Sequence, residues 1–132
     1  MSKILVVDDD TELVEALKIR LEVNNYKVMT ALNGIEALDK VYKEMPDLVL
    51  LDAWLPKMSG WEVCRKIKES EELNSIKVIF LTARTELSNR LIATQILKAD
   101  GYITKPFKSE KLIATIKEVL EENVKEKGIS NR

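Results

Sequence analysis

The sequence predicts an α/β fold: a five-stranded parallel sheet, doubly wound, with helices on both faces. Three observations point there. Short apolar runs rich in Val, Ile and Leu alternate with helical segments from one end of the chain to the other. The runs are continuously apolar, as strands covered on both faces should be. No internal repeat, low-complexity stretch or interdomain linker interrupts the 132 residues, a length that suits one domain.

The first strand is Lys3 to Asp8, built on Ile4-Leu5-Val6-Val7. Glu12 to Asn24 is helical: Leu13, Leu17 and Leu21 recur every four residues, Val14 lies beside them, and charges fill the other face. After the polar Asn24-Asn25 break comes a second strand, Lys27 to Leu32. Gly34 to Glu44 is the second helix, with Ala37, Leu38 and Val41 inward, and Pro46 ends it. Asp47 to Asp52 is the third strand. A loop containing Pro56 and Gly60 follows, then a helix to about Ser70 with Val63, Cys64 and Ile67 inward. Ile76 to Thr82 is the fourth strand, Leu87 to Lys98 the fourth helix, Tyr102 to Thr104 a short fifth strand, and Ser109 to about Glu122 the last helix. The domain is thus expected over residues 1–122, with a polar tail, 123–132, expected to fray. Five such units suit the flavodoxin-like strand order 2-1-3-4-5. Its topological switch point lies between strands one and three, and ligands bind there, outside the carboxyl ends of the strands.

Composition narrows the chemistry. Basic and acidic residues nearly cancel, 21 against 22, so this domain is not expected to bind nucleic acid directly. No apolar run approaches a membrane span, and Ile4-Leu5-Val6-Val7 is too short for a signal peptide. The single cysteine, Cys64, excludes an intrachain disulfide and suits a cytoplasmic protein. The absence of histidine excludes a Ser-His-Asp triad, a Cys-His pair and a histidine-ligated zinc. Polar chemistry must run on carboxylates, hydroxyls, lysine and a hard metal ion.

The strand ends supply those groups. Strand one ends in Asp8-Asp9-Asp10, strand three in Asp52 and strand four in Thr82-Ala83, and strand five is followed by Lys105-Pro106. All would face one crevice. Clustered carboxylates repel one another and are costly to desolvate unless paired. A divalent cation that prefers oxygen resolves the repulsion, and magnesium fits best because it needs only one or two protein carboxylates. Asp52 could then attack a phosphoryl group as a carboxylate nucleophile, with Lys105 and Thr82 gripping its oxygens.

Four segments carry a resemblance. Ile4-Leu5-Val6-Val7-Asp8-Asp9, the stretch from Asp47 to Gly60, Leu81-Thr82-Ala83-Arg84, and Gly101-Tyr102-Ile103-Thr104-Lys105-Pro106-Phe107 resemble, in order, the signature segments of response-regulator receiver domains. The match covers about residues 3 to 122. The resemblance implies that Asp52 is the phosphoacceptor of a two-component phosphorelay. It implies that Asp9 ligates magnesium (or manganese) directly and Asp8 largely through water, with Asp52 and the Trp54 backbone carbonyl completing the protein ligands. It further implies that Thr82 and Lys105 hold the phosphoryl group, that Tyr102 is an aromatic rotamer switch, and that the Lys105-Pro106 peptide is cis. A sensor histidine kinase or a histidine phosphotransfer protein would donate the phosphoryl group. The face of helix four, strand five and helix five would then control a downstream protein, an effector domain or a second copy. No enzyme activity beyond self-catalysed phosphoryl transfer and autodephosphorylation is implied. With no effector segment after the tail, the chain is either a stand-alone receiver or one excised from a longer protein.

Two departures from the family pattern are visible, and one further residue is unusual. Lys98 stands where glycine is usual, and a left-handed backbone there costs a lysine roughly 1 kcal/mol. The stretch from Thr82 to Lys105 is slightly long, which bears on the shape of helix four. Trp54 is bulkier than the common choices.

Plainer roles compete for several residues. Asp10, or Thr11, reads as a helix cap. Trp61 and Cys64 read as packing, with Trp61 partly exposed, and the Lys/Glu-rich last helix as a solvated amphipathic face. Tyr102 is balanced between a half-buried structural residue and a working switch. Other classes fit less well. A haloacid-dehalogenase-type phosphatase needs a second acid two residues after the nucleophile, where this chain has Trp54. A flavin carrier needs a Ser/Thr/Gly phosphate loop after strand one, where an acidic triplet stands. A degenerate receiver would lack Asp9, Asp52 or Lys105.

Overall fold

The computed structural model describes residues 1–83 and 86–128, the last seven of these by backbone alone. Arg84, part of the third signature segment, and residues 129–132 of the expected tail lie outside the described residues. The strands are β1 (Lys3–Val7), β2 (Lys27–Ala31), β3 (Leu48–Leu51), β4 (Lys77–Thr82) and β5 (Gly101–Thr104). The helices are α1 (Thr11–Val23), α2 (Gly34–Glu44), α3 (Gly60–Glu69), α4 (Leu87–Leu91) and α5 (Ser109–Gly128). All strand pairings are parallel, in the order β2-β1-β3-β4-β5.

Alternation along each strand divides the core into two layers. Leu5, Val7, Val49, Leu51, Val78 and Phe80 point to the side covered by α2 and α3. Ile4, Val6, Leu48, Leu50, Ile79 and Leu81 point to the side covered by α1 and α5. From the helices, Ala37, Val41, Val63, Cys64 and Ile67 complete the first layer, and Leu17, Leu21, Leu112 and Ile116 the second. The four-residue recurrence read from the sequence is the α1 seam of that second layer.

Helix entry is set by side chains that satisfy otherwise orphaned backbone donors. Asp10 Oδ1 accepts from the backbone N of Glu12 and Leu13. Asn33 Oδ1 accepts from Glu36 N, and Ser59 Oγ from Glu62 N. Exit from α1 uses Asn25 at φ 71°, and exit from α2 uses Met45 at φ 46° just before Pro46.

Two boundaries correct the sequence reading. Helix four is not α-helical from Leu87 to Lys98: α4 stops at Leu91 and passes into a π-helical turn, Ile92–Ile96, closed by Leu97 N donating to Ile92 O at 2.9 Å. A π turn takes one more residue than an α turn, so it absorbs a locally long stretch while Ala93 stays in the core. Lys98 then turns the chain at φ 64°, so it keeps the left-handed conformation of the position where the family usually has glycine. In addition, α5 runs to Gly128, past the end expected near Glu122.

Asp100 pins the same corner. Its Oδ2 accepts from Val78 N and from Lys68 Nζ, both at 2.9 Å, tying the end of α3 to the start of β4. Nearby, the Cys64 thiol is fully buried, and that burial pushes its pKa up to about 12. Thiolate is the reactive form. A chromogenic disulfide reagent at about pH 8.5, where an ordinary thiol is half ionised, should therefore leave Cys64 untouched in the native chain. It should react with it stoichiometrically in denaturant. Fast labelling without denaturant would show that the α3 layer opens.

Candidate functional site

Strand register assembles the site. Val7 is aligned with Leu51, so the next residues, Asp8 and Asp52, emerge side by side. Asp52 N donates to Val7 O at 3.1 Å, which carries that alignment one residue past the strands. Thr82 is aligned with Thr104, and Lys105 N donates to Thr82 O at 2.8 Å, so Lys105 leaves the sheet beside the end of β4.

The side chains converge above that edge. Carboxylate oxygens of Asp8, Asp9 and Asp52 lie within 4.8 Å of one another. Asp8 and Asp52 are buried, whereas Asp9 is exposed. Lys105 Nζ donates to Asp8 Oδ2 at 2.7 Å and stands 3.5 Å from Asp52 Oδ2. Asp8 Oδ1 accepts from Asp10 N at 3.0 Å, and Asp52 Oδ1 from Trp54 N at 3.2 Å. Thr82 is fully buried at the end of β4, and the Lys105-Pro106 peptide is cis. The sequence placed these residues at the strand ends, and the register puts Asp8, Asp9, Asp52 and Lys105 in one cleft.

The charges are strained against one another. Burial is the largest influence on Asp52 and raises its pKa above the ordinary carboxylate value. The Trp54 N–H and the Lys105 ammonium pull the other way, and Asp8 adds to the rise. Burial also disfavours the charge on Lys105. The hydrogen bond it donates to Asp8 and the fields of Asp52 and Asp8 outweigh that burial, so the lysine pKa is raised. Among the described residues, Asp8 and Asp52 thus share one ammonium, and Asp9 adds a third carboxylate beside them. The donor set is all oxygen, and its surplus negative charge suits a hard divalent cation.

Asp10 faces away from this chemistry. It caps α1, as its plainer reading held. The Tyr102 ring lies inward, 7% exposed and packed on Phe80 with centroids 6.3 Å apart. Trp61 packs on Phe80 at 4.9 Å and meets Trp54 edge-on at 6.0 Å.

Sequence reasoning missed two glycines that set the loop after Asp52. A Cβ on Gly60 would lie 2.0 Å from Asp52 O, and one on Gly34 would lie 1.9 Å from Met58 O. Gly60 N donates to Ala53 O at 2.9 Å and Gly34 N to Pro56 O at 3.3 Å, so the starts of α2 and α3 clamp the loop from both sides. Both backbones have negative φ, so the requirement is room rather than handedness. Nothing in the residue string marks such a close approach.

Comparison with known proteins fits this geometry. Residues 4–117 match the family model described as the response regulator receiver domain. The chain belongs to that family, whose members are phosphoacceptor switches of two-component signalling rather than dedicated enzymes. Among curated proteins it is 41% identical, over 118 residues, to the alkaline phosphatase synthesis transcriptional regulatory protein PhoP of Bacillus subtilis; the alignment covers 89% of this chain and 48% of PhoP. A probable transcriptional regulator of Guillardia theta is 39% identical, with 89% and 45% covered. The chain therefore spans about half the length of these relatives. Among solved structures, a CheY-like receiver domain protein from Methanospirillum hungatei superposes with a TM-score of 0.88 at 36% identity, covering 96% of this chain and 98% of that one. The BeF3-activated DrrB receiver domain gives 0.81 at 37%, covering 92% and 98%.

Replacing Gly60 with alanine should force the Asp52 carbonyl to move. The expected cost is about 1–3 kcal/mol, read as a lower urea midpoint with an unchanged slope. A parent-like midpoint would show that the loop yields freely.

Proposed function

We propose that Asp52 is the phosphoacceptor of this receiver domain. The observation that supports it most directly is the convergence of Asp8, Asp9 and Asp52 within 4.8 Å, with Lys105 reaching across Asp8 to Asp52. An Asp52 carboxylate oxygen attacks the phosphorus of a phosphohistidine on a sensor kinase or a histidine phosphotransfer protein. An O–P bond forms, the N–P bond breaks, and the imidazole nitrogen keeps the electron pair. Lys105, already between Asp8 and Asp52, neutralises a phosphoryl oxygen, and the Thr82 hydroxyl donates to another. Self-catalysed dephosphorylation is a second transfer, to water: the water oxygen forms a bond to phosphorus, the Asp52 O–P bond breaks, and the Asp52 carboxylate is regenerated as phosphate leaves.

Receiver domains typically bind magnesium at an acidic pocket. Here Asp8, Asp9, Asp52 and the Trp54 backbone carbonyl would hold it, and manganese could substitute. When bound, the ion supplies charge neutralisation for the carboxylates and for the phosphoryl oxygens.

Phosphorylation adds roughly −1.5 to −2 charge at neutral pH. That charge favours whichever arrangement of the β4 and β5 ends offers it more donors, a shift between existing states. The face of α4, β5 and α5 is the proposed output surface, acting on a downstream protein, a following effector domain or a second copy. The curated relatives are transcriptional regulators about twice this length, which favours an effector domain. No helix among the described residues is long and apolar enough to cross a membrane, and the proposed location is the cytoplasm.

Two experiments test this reading. Incubated with acetyl phosphate and magnesium, the parent should gain one phosphoryl group by intact mass and Asp52→Asn none; equal uptake by both would overturn the assignment. In a magnesium titration followed by tryptophan emission, Asp9→Ala should bind roughly tenfold or more weakly. An unchanged affinity would remove Asp9 from the ligand set.

A further inference from the structure

One guanidinium grips both ends of the switch tyrosine. Arg90 Cζ lies 4.9 Å from the centroid of the Tyr102 ring, and Arg90 Nη1 donates to the backbone carbonyl of the same Tyr102 at 3.2 Å. A cation over the ring face attracts its quadrupole. A contact to the ring alone would let the whole residue move, and a contact to the carbonyl alone would let the ring rotate. Together they fix the ring relative to its own backbone, and so fix χ1. Arginine can do this because its planar head stacks with one face while donating in its plane, which an ammonium cannot.

The surroundings hold Arg90 in place and carry its effect inward. Its carbonyl accepts from Thr94 Oγ1 at 2.9 Å, where α4 passes into the π-helical turn. Beneath the tyrosine the rings continue as Phe80, Trp61 and Trp54, with centroids 6.3, 4.9 and 6.0 Å apart. Both tryptophans, one of two phenylalanines and one of three tyrosines thus form a continuous chain of ring contacts. Its far end, Trp54, donates its backbone N–H to Asp52 Oδ1.

We propose that Arg90 is a positioning residue that holds Tyr102 inward before any phosphoryl group arrives, so that the resting chain already populates the inward state and phosphorylation has a smaller gap to close. The inference rests on the reading above in so far as Tyr102 responds to Asp52. A ligand that selects one state binds more weakly in proportion as that state is depopulated. Loss of Arg90 should therefore weaken the response to a phosphoryl analogue without touching the site.

The test uses Arg90→Ala and Arg90→Lys in the full chain. NMR three-bond couplings give the Tyr102 χ1 populations without ligand. Tryptophan emission gives the midpoint of a beryllofluoride titration in magnesium. The Arg90 side chain is exposed, so the alanine variant should keep a near-parental thermal midpoint. Its Tyr102 should nevertheless populate the outward rotamer, with a beryllofluoride midpoint raised several-fold. The lysine variant should fall between, keeping the cation but losing the double grip. A parental χ1 population in Arg90→Ala overturns the proposal, as does an outward ring with an unchanged midpoint. If the parent itself shows no beryllofluoride response, the Asp52 reading has failed, and the χ1 measurement alone still decides the role of Arg90.

Discussion

A buried carboxylate must be paired, and this molecule pairs two of them with one lysine. Lys105 follows β5, Asp8 follows β1 and Asp52 follows β3, so the ammonium joins the ends of three strands across the sheet. Removing one partner from such a group leaves an uncompensated charge, which is far more costly than the pair is stabilising. The arrangement therefore fixes the strand ends tightly while leaving the site short of positive charge. Burial raises the pKa of Asp52, and the neighbouring Asp8 adds to the rise. An all-oxygen site with surplus negative charge suits a hard divalent cation.

Everything around that cleft serves to hold backbone where side chains must meet. Three helices begin on capping side chains, Asp10, Asn33 and Ser59, and each cap sits just beyond the carboxyl edge of the sheet. The loop after Asp52 is wedged between the Gly34 and Gly60 backbones, which leaves no room for a Cβ. Its shape thus depends on two helices packing on the same face of the sheet. A change at either glycine reaches Asp52 through the main chain rather than through the charges of the site.

The α4 region follows a different logic. Its α-helical part is short, carries no side-chain cap hydrogen bond, and gives way to a π turn before Lys98 reverses the chain. Weakly held elements are the ones proteins use for motion. Yet one face of this region is anchored, because Arg90 rests on Tyr102 and Ala93 is buried. The same segment combines a change of helix type with a side-chain contact to β5.

Much of this was legible in the residue string. Strand and helix order, helices on both faces of the sheet, the acids at the ends of the first and third strands, and the lysine after the fifth all follow from local periodicity and position. The left-handed turn at Lys98 was signalled only through the resemblance, because glycine is usual at that place in receiver domains. The π turn was not legible, because a segment that is one residue long for its span can bulge, loop or slip, and only packing of Ala93 against the core selects among these. Nor was the inward Tyr102, since a tyrosine on a short edge strand has no local signal for its rotamer. The sequence alone determined which chemical groups the carboxyl edge carries, since that depends on where apolar runs stop. The tertiary structure alone decided how those groups meet: the pairing of Lys105 with Asp8 across most of the chain, the glycine clearances under Asp52, and the grip of Arg90 on Tyr102. Each of these is a distance between elements, set by strand register and helix packing, and no stretch of neighbouring residues encodes it.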